Sequence, residues 1–110
     1  MAEFEIVADG LQFPEGPIAM PDGSVILVEI KRGALTRCWN GRSEVIAHIG
    51  GGPNGAAFGP DGAIYICNNG GFAWHDVMGL TVPGHAAADY TTGRIERVDL
   101  ATGKVERVYE

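Results

Sequence analysis

Basic residues are few and never clustered. Eight Lys and Arg stand against fourteen Asp and Glu, for a net charge of −6. An acidic chain without a positive patch repels a phosphate backbone, so no nucleic-acid partner is expected. No apolar run approaches the ~18 residues of a membrane-spanning helix, so no membrane partner is expected either. The opening, MAEFEIVADG, lacks a basic stretch followed by an apolar one, and no signal peptide is expected. Cysteine is scarce. Cys38 and Cys67 have no CxxC spacing, and two free thiols in a cytoplasmic protein are the expectation, with a disulfide left open. No helical periodicity competes with the strand patterns along the chain.

What is abundant is glycine, with 17 in 110 residues, alongside 45% apolar residues. That is enough apolar matter for the core of one small domain. The glycines mark turns between many short strands. The acidic balance would help to hold a cation, although it serves solubility equally well.

An internal repeat organises the chain. Pro14–Ile30 reads PEGPIAMPDGSVILVEI and Pro53–Asn69 reads PNGAAFGPDGAIYICNN, aligned without a gap at an offset of 39 residues. In each copy Pro-Asp-Gly predicts a tight turn: Pro presets φ, Asp bonds its own backbone, and Gly takes a positive φ. The flanking runs, Gly16–Met20 with Ser24–Glu29 and Gly55–Phe58 with Ala63–Cys67, predict hairpins. Their near-continuous apolar character predicts inner strands buried on both faces. Two further strands follow in each unit: Ala34–Trp39 and Glu44–Ile49 in the first, Arg94–Asp99 and Lys104–Tyr109 in the second. The alternation in RIERVDLATGKVERV predicts outer strands wetted on one side.

Four antiparallel strands recurring at about 40 residues predict an all-β chain of two β-propeller blades, 14–50 and 53–110. A sandwich meander would give the strands but not the gapless repeat. Gly70–Thr91, GGFAWHDVMGLTVPGHAAADYT, lengthens the second unit and is expected to be an irregular loop of functional weight. Phe4–Ala8, ahead of the first unit, is expected to be the strand that closes the ring from the last blade.

An antiparallel meander brings three features to one end. Glu15 and Asn54 stand at the openings of the two inner strands, and loop 70–91 joins the second and third strands of its unit. A carboxylate and an amide oxygen converging on an axis suit a hard cation, which takes roughly six to eight oxygen ligands. The same two residues would also serve as caps of strand openings.

LQFPEGPIAMPDGSVILVEI, GGPNGAAFGPDGAIYICNNGGF and GRIERVDLATGKVERVY resemble the N-terminal part of SMP-30/gluconolactonase/LRE-like proteins over nearly the whole chain. The Glu-Gly-Pro and Pro-Asn-Gly openings are the specific elements; the Pro-Asp-Gly turns are generic. The resemblance implies a six-bladed propeller with one divalent metal, Ca²⁺ first and Zn²⁺ or Mg²⁺ as alternatives, acting in hydrolysis of a small lactone or ester. It implies Glu15 as a metal ligand and Asn54 as a ligand or substrate contact. The remaining ligands and the general base would come from later blades, so no catalytic residue is assigned. Six blades need roughly 280–300 residues at this repeat length. The chain is therefore expected to be a fragment, with self-association of open blades as the alternative.

On the insertion, Trp74 and His75 are candidate substrate contacts. Phe72, Trp74, His75, Asp76, His85 and Asp89 are equally accounted for as loop anchors and ordinary loop polarity, and their spacing fits no metal motif. Glu29 and Asn68 end equivalent strands, as rim residues or polar caps. His48 is expected to be structural. The competing function is a non-enzymatic propeller module that binds a small molecule or protein partner.

Overall fold

The structure is a computed structural model, and residues 3–110 are described. Among them the chain is all-β, with ten strands in antiparallel sheets and no helix. β1 (Pro14–Ala19), β2 (Val25–Glu29), β3 (Ala34–Trp39) and β4 (Arg42–His48) form a four-stranded sheet in chain order. β5 (Pro53–Phe58) and β6 (Ile64–Asn68) are joined by β9 (Arg94–Val98) and β10 (Val105–Tyr109) in a second sheet of order β5-β6-β9-β10. Between β6 and β9, β7 (Phe72–Val77) and β8 (Leu80–Ala86) make a separate two-stranded hairpin.

The repeat is a structural one, down to single hydrogen bonds. In the first Pro-Asp-Gly turn Gly23 sits at φ +88° and its N–H donates to the Met20 carbonyl at 3.0 Å; in the second, Gly62 sits at +82° and donates to the Gly59 carbonyl at 3.0 Å. Asp22 Oδ1 accepts from the Ser24 N–H at 2.9 Å, as Asp61 Oδ1 accepts from the Ala63 N–H at 3.1 Å. These are the Asx bonds that make Asp a turn residue. Arg37 faces Ile26 across β2–β3, and Arg97 faces Tyr65 across β6–β9, which are equivalent places. Each arginine pairs with its own turn's aspartate: Arg37 with Asp22 at 2.6 Å, Arg97 with Asp61 at 2.9 Å.

The core lies between the two sheets. Ile26, Val28, Leu35 and Ala47 of the first meet Ile64, Ile66 and Val98 of the second, with Ile18 and Ala56 packed against them. Successive residues of a strand point to opposite faces. Val25 and Leu27 are therefore turned away from the second sheet, and Tyr65 and Cys67 away from the first.

Two sequence expectations are corrected. Residues 70–91 are not irregular: most of them form the β7–β8 hairpin. Its turn is Met78-Gly79, both at positive φ (+53° and +80°). That is the conformation a two-residue hairpin turn needs, reached without the usual Asn-Gly, which is present at Asn40-Gly41. The inner strands β1 and β5 are also not buried on both faces. Pro17, Ala19, Ala57 and Phe58 are exposed, and the burial falls on β2, β3 and β6. Phe4–Ala8, expected to close the ring from a last blade, pairs with neither sheet here. The Val7 carbonyl accepts from the Gly41 N–H at 2.6 Å, and Glu5–Leu11 passes over Val25, Leu27 and Cys38 on the outer face of the first sheet.

Acid should loosen these turns. The Ser24 hydroxyl and N–H, followed by Arg37, bring Asp22 down to about 2; Arg97, then the Ala63 N–H and the Tyr65 hydroxyl, do the same for Asp61. Both groups ordinarily titrate at 3.8, so the folded value is the lower one. Their contribution is complete above pH 3.8 and drains away as pH falls to about 2. A thermal-melting series is expected to show Tm falling through that window, and D61N is expected to flatten the fall. An identical profile in D61N would remove the pair from the account.

Candidate functional site

β1 and β5 start side by side. A Cβ on Gly16 would stand 3.2 Å from the Ala56 nitrogen and 3.3 Å from the Gly55 Cα. A side chain here would be tight against that backbone, and Gly16 also sits at φ +55°, where an L side chain is strained. Both strands slip register here: β1 between Glu15 and Ile18 against β2, β5 between Pro53 and Gly55 against β6. Such irregularities re-aim the side chains they carry. Glu15 and Asn54, each one residue ahead of the glycine contact, are thus brought to one end of the molecule, and both are exposed. Glu15 Oε2 accepts from the Gly16 N–H at 3.0 Å.

A buried polar pair braces each opening. Glu29 pairs in register with Pro14, and Asn68 with Pro53. Glu29 is 1% exposed; its carboxylate accepts from the Gln12 N–H (2.8 Å), Arg32 Nε (2.8 Å) and the Thr36 hydroxyl (2.6 Å). Burial would raise its pKa, but the bonds from Thr36, Arg32 and Gln12 outweigh that and hold it below the usual carboxylate range. Asn68 is 5% exposed; its Oδ1 accepts from the Gly52 and Gly70 N–H groups, both at 2.9 Å, and its Nδ2 donates to the Gly50 carbonyl (2.9 Å) and Glu96 Oε1 (2.8 Å). Glu96 in turn lies 3.2 Å from Arg94 Nε. Glu29 and Asn68 thus tie down the lead-in segments at Gln12 and Gly50–Gly52 that deliver Glu15 and Asn54. The backbone bond Ile30 N–H to Phe13 carbonyl (3.0 Å) has its counterpart in Asn69 N–H to Gly52 carbonyl (2.9 Å).

The hairpin leans on the first opening through aromatic contact. Trp74 on β7 lies 5.0 Å from the Phe13 ring and 5.8 Å, edge-on, from Phe72. Phe13 is at φ +59°, a left-handed conformation that costs a non-glycine residue about 1–2 kcal/mol. The Ile30 bond and the Trp74 contact hold it there, two residues before Glu15.

Of the sequence candidates, Glu15, Asn54 and Trp74 share this end. Trp74 is half-buried and spends its ring on Phe13 and Phe72, so it is an anchor of the hairpin. His75 is exposed, with its ring over Gly84. Asp76 accepts from the Thr81 hydroxyl at 3.2 Å; His85 and Asp89 are exposed on and beyond β8. His48 ends β4, exposed, opposite Ala34. Among the described residues no three His, Cys, Asp or Glu side chains gather as a metal centre. Glu15 and Asn54 are hard oxygen donors of the right kind for a cation such as Ca²⁺, yet two donors fill only part of its shell of roughly six to eight. Phe13 escaped the sequence reading. Its only signal was its place before Pro-Glu-Gly.

Asn68→Ala removes four hydrogen bonds and leaves the Gly52 and Gly70 N–H groups without their partner. Each buried group so orphaned costs about 1–3 kcal/mol. Urea unfolding is expected to show a large loss of stability, whereas Asn54→Ala, at an exposed position, is expected to leave it nearly unchanged. A mild N68A would mean that the lead-in to β5 needs no brace.

No protein-family model and no curated protein sequence matches the chain.

Proposed function

We propose that this chain supplies two blades of a β-propeller related to the SMP-30/gluconolactonase/LRE-like proteins, and that Glu15 and Asn54 are part of a divalent-metal site for hydrolysis of a small lactone or ester. The observation that carries the reading is the close approach of Gly16 to Gly55 and Ala56, which sets a carboxylate and an amide at adjoining strand openings. Its second support is the recurrence of turn, ion pair and brace in both sheets. That is how a unit behaves when successive copies stack around an axis.

Within this reading Glu15 would hold the cation with its carboxylate. Asn54 offers its amide oxygen to the same cation or to a substrate hydroxyl. Further oxygen donors would be needed to fill the cation's shell. A bound divalent cation would polarise the carbonyl of the ester and lower the pKa of a coordinated water. The β7–β8 hairpin, anchored by Trp74 on Phe13, would flank the site on one side. The competing reading is a binding module without chemistry, and turnover separates the two.

The test has two arms. Titration with Ca²⁺, then Zn²⁺, is expected to move the Gly16 and Gly55 amide resonances of the wild-type chain and not those of E15Q. In a protein with the full set of donors, lactone hydrolysis is expected to be lost on chelation and in E15Q, and to return with added metal only in the wild type. Hydrolysis that survives both chelation and E15Q sinks the metal assignment. Metal binding without hydrolysis of any lactone or ester leaves the binding module as the function.

A further inference from the structure

The repeat makes the two outer faces of the molecule complementary in kind to the two faces that already meet. Across the core, Ile26, Val28 and Leu35 of the first sheet pack on Ile64, Ile66 and Val98 of the second. At the 39-residue offset, and through the register of β2–β3 and β6–β9, Ile26 corresponds to Tyr65, Val28 to Cys67 and Leu35 to Ile95. These residues line the outer face of the second sheet. In the other direction Ile64 corresponds to Val25, Ile66 to Leu27 and Val98 to Cys38, which line the outer face of the first. Each outer face thus repeats, position for position, one half of the existing interface.

The outer face of the second sheet is open and apolar. Gly55, Ala57, Tyr65, Cys67, Ile95, Val108 and Tyr109 line a groove of about 490 Å³ there. Val108 is 41% and Tyr109 71% exposed, and Cys67 is exposed as well. Contiguous apolar surface of this sort marks an interaction site. On the first sheet the matching face is covered, with Leu27 8% and Cys38 2% exposed. Glu5–Leu11 lies over it, with Phe4 93% and Ile6 79% exposed. In the repeat this segment corresponds to Glu44–Gly50, most of β4 and the two residues after it, and β4 contributes Ile46 and Ala47 to the core. Glu5–Leu11 therefore occupies a place that an outer strand would fill.

We propose that the groove on the second sheet binds the outer face of the first sheet of a second copy of this chain, head to tail, with the neighbour's Glu5–Leu11 moved aside. Such a contact continues the interface already present between the two sheets and needs no metal. The contact is heterologous: one patch meets a different patch, so copies add in series until rotation closes a ring.

The experiment uses size-exclusion chromatography with light scattering on the 110-residue chain over a concentration series, with two surface variants checked by circular dichroism. V108D blocks the groove and V25D blocks the opposite face. The wild type is expected to grow in mass with concentration, and Cys67 is expected to lose its reactivity toward a maleimide as it does. Each variant alone is expected to lose association, and an equimolar mixture of the two is expected to restore one contact and stop at a dimer. A wild type that stays monomeric at every concentration overturns the proposal and gives the groove to some other occupant. So does association that persists in V25D alone, because that is the mark of groove-to-groove pairing. If V25D fails to fold, deletion of residues 3–10 serves instead. Uncovering the face is expected to shift association to lower concentration, and an unchanged midpoint would overturn the proposal.

Discussion

The apolar layer shared by the two sheets is the constraint on which the rest depends. Each sheet alone is a small meander with two hydrocarbon faces and would bury little. Facing one another, they take Val28, Leu35, Ile64, Ile66 and Val98 fully out of water. Each large aliphatic side chain so buried is worth about 1.5–3 kcal/mol. That same packing brings β1 against β5, and the glycine contact at their starts is its direct result. The candidate site is thus a by-product of core packing: Glu15 and Asn54 need no contact with each other to be held together, because their backbones already are. The polar braces beneath them then fix the lead-in segments, which have no sheet of their own to order them.

The two halves of the molecule differ in how well their surfaces are finished. The first sheet has a partner on one side and a chain segment on the other. The second has a partner on one side and open groove on the other. Cys38 illustrates the contrast with Cys67. Burial, assisted by the nearby Glu29 carboxylate, pushes the Cys38 thiol up, so it stays protonated and behaves as a small apolar side chain. Its opposite number is a thiol in water. The all-β architecture is common to both halves. Their arrangement as blades around an axis belongs to the proposal above.

Much of the architecture was legible in the residues. The gapless repeat placed β1, β2, β5 and β6, and turn and alternation signals placed β3, β4, β9 and β10, all within a few positions of their observed bounds; Pro-Asp-Gly gave both turns, because such turns are set by local backbone chemistry. What escaped depended on contacts distant in sequence. The β7–β8 hairpin was hidden because Met78-Gly79 is not a usual turn pair and Pro83-Gly84 breaks the strand pattern. The exposure of β1 and β5 was misread because small apolar residues such as Ala19 and Ala57 look the same in sequence whether covered or bare. At the site, Glu15 and Asn54 were legible from their repeat-equivalent places, while the left-handed Phe13 and its contact with Trp74 join residues far apart in the chain. Glu29 and Asn68 were read as rim residues or strand-end caps, and their tether to Gln12 and Gly52 was not seen.

The braces also constrain how such a unit can diverge. In the first sheet the acid is on β2, at Glu29, and the neutral partner on β3, at Thr36. In the second the neutral amide is on β6, at Asn68, and the acid on β9, at Glu96. The position of the anion has crossed from one strand of the hairpin to the next, and its guanidinium has moved with it, from Arg32 to Arg94. A segment exchange that cut through either hairpin would pair acid with acid, or strand an arginine beside two neutral groups. The workable crossover points lie outside the middle strands, so β2 with β3, and β6 with β9, are inherited as indivisible pairs.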